Sequence, residues 1–207
     1  FTLADEDRAE LGIAGDSRSL ALPLVTRPRV EAPRPRTIAV DAGLIGTWTW
    51  QPNRIGLEWF LGEVVPRLPA GFTIRIAGAM PKDLAAPTPA IEFVGRVGDA
   101  DDFLRQAAVV PLVSTAGSGV QLKTIEAFEA GYPVVATSRS LRGISFRPDN
   151  CVIADDPAEF AEELAAMAAR RLPLADGRDF HARQIAELDA RMARGLAALT
   201  RSGRAAA

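Results

Sequence analysis

The chain has 207 residues and a formal net charge of −2, with 48% hydrophobic and 24% charged residues. This length is enough for one large domain or one domain with appendages, and the near-neutral charge argues against a nucleic acid as partner. No run of about 20 apolar residues is present, so no membrane-spanning helix is predicted. The single cysteine, Cys151, excludes a disulfide framework and a cysteine-based zinc site, and we expect no metal. We expect a cytoplasmic protein, with peripheral attachment to the inner membrane face as the alternative.

Residues 1–35 are predicted to form an appendage that precedes the main domain. Residues 2–11 are acidic and predict a short helix, and the apolar run 19–25 predicts a strand. Residues 26–36 contain three prolines among scattered arginines. Because each proline fixes φ and disfavours helix in the residue before it, this stretch is predicted to be an extended linker.

From residue 38 onward, short apolar runs alternate with segments of helical periodicity. Strands are predicted at residues 38–46, 72–78, 91–95, 109–113, 133–136 and 151–154. Helices are predicted at residues 57–68, 99–107, 120–130, from 157 onward, and at 179–199. Asp156 and Pro157 occupy the N-cap and first positions of the fourth helix. This alternation predicts an α/β fold, a Rossmann-like parallel sheet flanked by helices, over residues 36–175, followed by a C-terminal helix over 176–207.

In such a sheet, ligands bind beyond the carboxyl ends of the strands, near helix N-termini. The segments at this edge are residues 46–53, 95–99 and 114–126. In the last of these, a loop of small residues leads into a helix whose first turn carries Lys123, with Glu126 one step further along the same face. Loop amides and the helix dipole can bind phosphate, and a carboxylate can accept two hydroxyl hydrogen bonds from a ribose. These features predict a nucleotide-diphosphate site.

The same residues also have a purely structural interpretation. Glycines are common in loops between strands and helices, and a Lys-x-x-Glu pair is usually a solvated ion pair. Trp48 and Trp50 could stack on a base or sugar, or only pack within their loop. From the residues alone, both interpretations stay open.

Four further residues have charged or chemically reactive side chains. Arg139 and Arg142 follow a predicted strand and could reach acidic groups. His181, the only histidine, is predicted to lie on a helix surface. Cys151 opens a predicted strand and is expected to be inert in the core.

The pattern Gly-x-Gln-x-Lys-x-x-Glu-Ala-x-x-x-Gly-x-Pro-Val-Val-Ala-Thr spans residues 119–137. It resembles the donor-binding region of GT-B fold glycosyltransferases, as do residues 46–69, 93–113 and 150–164. The resemblance extends over residues 38–169 and is nearest to the family 4-like (group 1) retaining nucleotide-sugar transferases of bacteria. It implies the C-terminal, donor-binding lobe of such an enzyme.

The resemblance also implies roles residue by residue. The catalytic positions would be Lys123, which holds the donor diphosphate, and Glu126, which binds the ribose hydroxyls. The other donor-binding positions would be Gly117, Ser118, Gly119 and Val120 in the same loop, Gly46, Thr47 and Trp48 in a loop facing the cleft, and Arg96 and Val97 beside the base. A nucleotide diphosphate sugar would be the donor substrate, and no further cofactor is implied.

One position departs from the family pattern. Many relatives carry two glutamates spaced by seven residues, and the first, which usually meets the transferred sugar, falls at Ser118 in this sequence. The predicted function is still transfer of a sugar, with retention, from a nucleotide diphosphate donor to a sugar or lipid-linked acceptor.

The N-terminal residues bear on how complete this enzyme is. Residues 1–25 resemble the end of a preceding lobe, and residues 27–36 would be the hinge between lobes. Without the lobe that binds acceptor, the isolated chain is expected to bind nucleotide and to transfer little or no sugar.

Two alternatives stay open. The first is a non-catalytic nucleotide-binding or scaffold module of the same fold, which the serine at position 118 favours. The second is a sugar-nucleotide epimerase, which would need acid–base residues that these positions do not supply. A dehydrogenase is disfavoured because no Gly-x-Gly-x-x-Gly follows the first strand of the domain.

Overall fold

A computed structural model describes residues 1–27 and 30–205, with side chains of the last helix as far as residue 198. The strands are β1 Val40–Thr47, β2 Ile74–Ala79, β3 Ile91–Gly95, β4 Ala107–Leu112, β5 Val134–Ala136 and β6 Cys151–Ile153. The α-helices are α1 Asp5–Glu10, α2 Gln51–Trp59, α3 Ala100–Leu104, α4 Leu122–Glu129, α5 Pro157–Arg170 and α6 Arg178–Ala205. Parts of the predicted linker (residues 28–29) and of the predicted C-terminal end (206–207) lie outside the described residues.

The strands form one sheet in the order β3-β2-β1-β4-β5-β6, and all neighbouring pairs are parallel. The prediction of a Rossmann-like parallel sheet is confirmed. All six residues of β4 are buried, as expected for a central parallel strand covered on both faces. After β1, strands β2 and β3 are added on one side of it, and the chain then crosses back to place β4, β5 and β6 on the other side. The topological switch point therefore lies between β1 and β4.

Helices cover both faces of the sheet. On one face, α2, the turn that follows it and α5 contribute a core that includes Leu57, Phe60, Phe160 and Leu164, each fully buried. On the other face, α3, α4 and the start of α6 contribute a second core that includes Phe103, Ile125, Phe128 and Phe180. Burial of large apolar side chains on both faces is the main force that holds such a three-layer domain together.

Local signals at helix ends are visible in the structure. The Asp156 carboxylate accepts hydrogen bonds from the N–H groups of Ala158 at 2.8 Å and Glu159 at 3.1 Å, which confirms the predicted cap of α5. The predicted apolar face of residues 57–68 is buried as expected, but α2 ends at Trp59 and continues as a π turn over Phe60–Val64. Pro66, which lacks an N–H group, lies two residues beyond the end of this turn.

The N-terminal residues fold back onto the sheet domain. Helix α1 lies within the predicted helix, but the predicted strand at residues 19–25 is wrong, because only a single bridge joins Thr2 and Ala21. Pro23 has no N–H to extend the pairing. Arg142 donates to Asp7 and Glu10, both at 2.7 Å, and so anchors α1.

His181 does not lie on a helix surface, contrary to prediction. Its side chain is buried at the start of α6, and its Nδ1 lies 2.8 Å from Oε1 of Glu129 at the end of α4. Cys151 is buried, as predicted, and burial raises the pKa of its thiol to about 12. No helix in the described part of the chain is long and apolar enough to cross a membrane.

Candidate functional site

A cleft of about 860 Å³ opens at the carboxyl edge of the sheet, and it is larger than three other cavities that the described residues form. Its walls come from the ends of β1 and β2, the segment after β3, and the segment that leads from β4 into α4. This is where the topology predicts a ligand, beside the switch point between β1 and β4. The volume is in the range of pockets that enclose small ligands.

The structure brings together ten of the eleven predicted site residues at this cleft. The residues that line it are Gly46, Thr47, Arg96, Val97, Gly117, Ser118, Gly119, Val120, Lys123 and Glu126. They come from three segments that are far apart in sequence. The parallel sheet gathers them because it places every strand's carboxyl end at one edge.

Trp48 is the exception, and its predicted place in the cleft wall is wrong. Its side chain is only 1% exposed, and its Nε1 donates a hydrogen bond to the Ala77 carbonyl at 2.8 Å. Trp48 directly follows Thr47, the last residue of β1, and successive side chains of an extended segment point to opposite sides. Thr47 therefore faces the cleft while Trp48 packs beneath it.

Two glycines let the strands pass close together under the cleft. A Cβ at Gly46 would lie 3.1 Å from the Trp48 ring. Gly78, its register partner on β2, has φ of +117°, and a Cβ there would lie 1.8 Å from the Gly46 carbonyl oxygen. A side chain at position 78 would force the strands apart, since 1.8 Å is far inside van der Waals contact, whereas a side chain at position 46 would require only a small shift of the Trp48 ring.

The segment between β4 and α4, residues 113–121, forms the side of the cleft next to α4. We call it the β4–α4 loop. Helix α4 begins at Leu122, two residues later than predicted, and its N-cap residue Gln121 makes no side-chain cap bond. The N–H groups of Leu122 and Lys123 have no acceptor within the described chain. Amides left free at a helix N-terminus favour an anion there.

Lys123 is the cation at this helix start. Its Nζ lies 5.6 Å from the centroid of the Trp48 ring and 3.4 Å from Oδ1 of Asn53. Within the described residues it forms no ion pair with a carboxylate. Burial without a counter-ion lowers the pKa of Lys123 to about 8. An anion in the cleft would stabilise the charged form.

Glu126 and Arg96 also carry charges that the described chain leaves unpaired. Glu126 is exposed on α4, three residues beyond Lys123, and its carboxylate accepts no hydrogen bond from the described residues. Arg96 is exposed on the segment after β3 and makes no ion pair there. The cleft therefore presents a lysine, a carboxylate and a guanidinium, all with free hydrogen-bonding capacity.

Asn53 is a site residue to which the sequence assigned no role. It lies at the start of α2, and its Nδ2 donates to the Thr47 carbonyl at 3.1 Å, which turns Oδ1 toward Lys123. Trp50, weighed for stacking, lines the cleft with 60% of its surface exposed. The signal for both is their position directly after β1, within a segment at the ligand-binding edge.

Within the described part of the chain, the only group of three or more possible metal ligands close enough together to share an ion is formed by Asp99, Asp101 and Asp102. Asp99 caps α3 by accepting from the Asp102 N–H at 2.9 Å. Asp101 accepts from the Tyr132 hydroxyl and pairs with arginines. These bonds account for the cluster as the ordered start of a helix.

The structure is a Rossmann-like domain with a cleft at its topological switch point. The chain belongs to the family described as glycosyl transferases group 1, whose model matches residues 40–170. This confirms the family inferred from the sequence motifs. No curated protein matches the chain.

Solved glycosyltransferase structures share the fold. The chain is 17% identical to TarM, with a TM-score of 0.58, over 80% of this chain and 35% of that chain. The chain is 16% identical to a mutant of S. aureus TarM in complex with Fondaparinux, alpha-GlcNAc-glycerol and UDP. The TM-score is 0.60, and the match covers 85% of this chain and 38% of that chain. The chain is 17% identical to AviGT4, a glycosyltransferase involved in Avilamycin A biosynthesis. The TM-score is 0.56, and the match covers 93% of this chain and 62% of that chain. This chain spans less than two thirds of each of these proteins.

Proposed function

We propose that this chain is the nucleotide-sugar donor-binding lobe of a glycosyltransferase that transfers sugar with retention. The observation that carries the proposal is Lys123, a half-buried cation that has no counter-ion in the described chain. It lies over Trp48 at a helix start whose amides are free. A diphosphate would supply the missing anion to both the ammonium and the amides.

The other charged groups of the cleft fit the rest of a nucleotide. Glu126, further along the same helix, would accept hydrogen bonds from the two ribose hydroxyls. Arg96 and Val97 would border the base, and the exposed ring of Trp50 offers an apolar surface. The cleft of about 860 Å³ has room for a nucleotide diphosphate with its sugar.

The chemistry assigned to these residues is stabilisation of the leaving group. The bond between the anomeric carbon and the diphosphate oxygen breaks, the acceptor oxygen bonds to the same face of that carbon, and the acceptor proton passes to the departing diphosphate. Lys123 and the amides at the start of α4 would stabilise the negative charge that develops on this diphosphate. The acceptor would be held by a second lobe, so the lobe alone is expected to bind donor and to transfer little sugar.

Calorimetry with UDP, GDP and ADP tests the proposal. UDP is the first choice because the TarM complex contains it. Lys123→Met is expected to weaken binding about 100-fold, equivalent to about 2.7 kcal/mol, since a charge-assisted hydrogen bond to the diphosphate is lost. Lys82→Met, which changes the only other lysine, is the matched control and is expected to bind as wild type.

The serine at position 118 favours a second candidate, a non-catalytic module of the same fold. Failure of the wild-type chain to bind any of the three diphosphates would support that candidate and contradict the proposal. Conversion of a UDP-sugar into another UDP-sugar without acceptor would indicate an epimerase instead.

A further inference from the structure

The short 3₁₀ turn Ser138–Leu141 follows β5 and contacts the β4–α4 loop through hydrogen bonds of its side chains. Arg139 in this turn is exposed and makes no ion pair with a carboxylate in the described part of the chain. Its Nη1 instead donates to the carbonyl oxygen of Gly117 at 2.6 Å. Gly117 has φ of +93°, and neither its N–H nor its carbonyl makes a backbone–backbone hydrogen bond in the described chain.

Buried hydroxyl groups of the same region hold both ends of the loop. The Ser140 Oγ accepts from the Ser114 N–H at 3.1 Å, and the Thr137 Oγ1 donates to the Ser114 carbonyl at 2.5 Å. Thr124, in the first turn of α4, donates its hydroxyl to the Ser140 carbonyl at 2.7 Å. All four side chains are buried, so these bonds are protected from water.

The turn is itself fixed to the sheet. Asp155, which follows β6, accepts hydrogen bonds from the Ser138 N–H at 2.8 Å and the Ser138 hydroxyl at 3.0 Å. The turn thus holds the loop near its start, at its midpoint and just beyond its end. Of these three attachments, only the bond at the midpoint depends on an exposed side chain.

We propose that Arg139 is a positioning residue, which fixes the β4–α4 loop in its ligand-binding shape before a nucleotide arrives. This inference rests on the proposed function of the cleft. The loop carries Ala116, Gly117, Ser118 and Gly119 in sequence, and none of their side chains makes a hydrogen bond within the described residues. Without the arginine, binding would have to restrict the backbone of this segment, and affinity would fall by that entropic cost.

The test compares Arg139→Met with Arg147→Met, an exposed arginine beyond the turn that also lacks an ion pair in the described chain. Hydrogen exchange of the loop amides is measured without ligand, and UDP affinity is measured by calorimetry. Arg139→Met is expected to speed exchange in residues 114–121 and to raise the Kd about tenfold. Arg147→Met is expected to leave both unchanged, and the unfolding temperatures of both variants should match wild type.

Two further comparisons separate positioning from simple attraction of an anion. A loss that comes from positioning persists at 0.5 M salt, whereas the loss of a long-range charge is screened. Arg139→Lys, which keeps a donor and a charge, should restore part of the affinity.

Equal loop exchange in the Arg139 and Arg147 variants overturns the proposal, whatever the affinities are. Weaker binding with unchanged exchange overturns it too, because it would mean that Arg139 contacts the ligand directly. If the wild-type chain binds no nucleotide, the proposed function of the cleft fails, while loop exchange still decides the role of Arg139.

Discussion

The two ends of helix α4 use charged side chains in opposite ways. At its start, Lys123 and Glu126 lie in the cleft without an ion-pair partner in the described chain. At its end, Glu129 has a fully buried side chain whose carboxylate accepts from Thr26 Oγ1 at 2.9 Å and lies 2.8 Å from His181 Nδ1. The Arg27 guanidinium adds a weaker contact at 3.6 Å.

Glu129 therefore has a structural role, whereas the charges of Lys123 and Glu126 are available to a ligand. Glu129 is far from water, so its charge must be compensated within the protein, and the partners it uses tie α4 to the linker and to α6. Lys123 and Glu126 border an open cleft, where water can solvate them until a ligand arrives. A ligand can bind these two residues without breaking any internal ion pair.

The largest expected effect comes from removing the buried charge. Glu129→Ala leaves His181, Thr26 and Arg27 without their partner and is expected to lower the free energy of unfolding by about 3 kcal/mol. Glu126→Ala, three residues earlier and exposed, should change it by less than about 0.5 kcal/mol. Urea denaturation measures both, and equal losses would show that the two ends of α4 do not differ as described.

The pH dependence of nucleotide binding tests the unpaired charge at the start of the helix. The pKa of Lys123 is lowered to about 8 in the free protein, and a bound diphosphate should raise it. Binding above pH 8 must then take up a proton, so affinity is expected to fall about tenfold between pH 7 and 9. Calorimetry in buffers of different ionisation enthalpy measures this uptake. The same decline in Lys123→Met would assign it to another group.

A smaller effect is expected when the cleft carboxylate is neutralised. Glu126→Gln should weaken UDP binding about fivefold, or about 1 kcal/mol, because an amide accepts the ribose hydroxyls less strongly than a carboxylate. Binding of 2′,3′-dideoxyuridine diphosphate, which lacks both hydroxyls, should be unchanged by the substitution. Glu162→Gln, on the exposed side of α5, is the control. A fivefold loss for the dideoxy compound would mean that Glu126 does not bind the ribose.

The smallest expected effect is a gain in the free energy of unfolding, in contrast to the loss expected for Glu129→Ala. Removing the half-buried charge in Lys123→Met is expected to stabilise the unliganded protein by about 0.5 kcal/mol at pH 7. The native pKa is below the usual 10.5, so wild-type stability rises with pH between about 8 and 10.5, and the advantage of the variant disappears there. Chemical denaturation at pH 7 and 10.5, with Lys82→Met as control, measures the difference. A destabilised variant at pH 7 would mean that Lys123 supports the fold.

Much of the site could be predicted because it follows from topology. Once short apolar strands alternate with helices, the carboxyl ends of β1, β3 and β4 must lie at one edge, which brings Thr47, Arg96 and Lys123 to one cleft. The identity of α5 followed from Asp156 and Pro157 for a similar reason, since a cap depends only on neighbouring residues.

The errors concern contacts between residues that are distant in sequence. The helical periodicity around His181 predicts an exposed position on an amphipathic helix. Its burial is explained by its contact with Glu129, which lies 52 residues earlier in the sequence. Periodicity also cannot show that Glu126 is exposed and Glu129 buried. Glu126 borders the cleft and Glu129 contacts the linker, and both environments are formed by residues distant in sequence. Trp48 could have been placed from the alternation of an extended strand, had β1 been predicted to extend to Thr47.

The paired glycines Gly46 and Gly78 set a limit on how this cleft can be redesigned. The carbonyl of one residue occupies the space where a side chain of the other would begin, so even alanine at position 78 would push β1 and β2 apart. A change in the ligand preference of the cleft would therefore have to come from the rim, at Trp50, Arg96 or Ser118, and leave Gly78 unchanged.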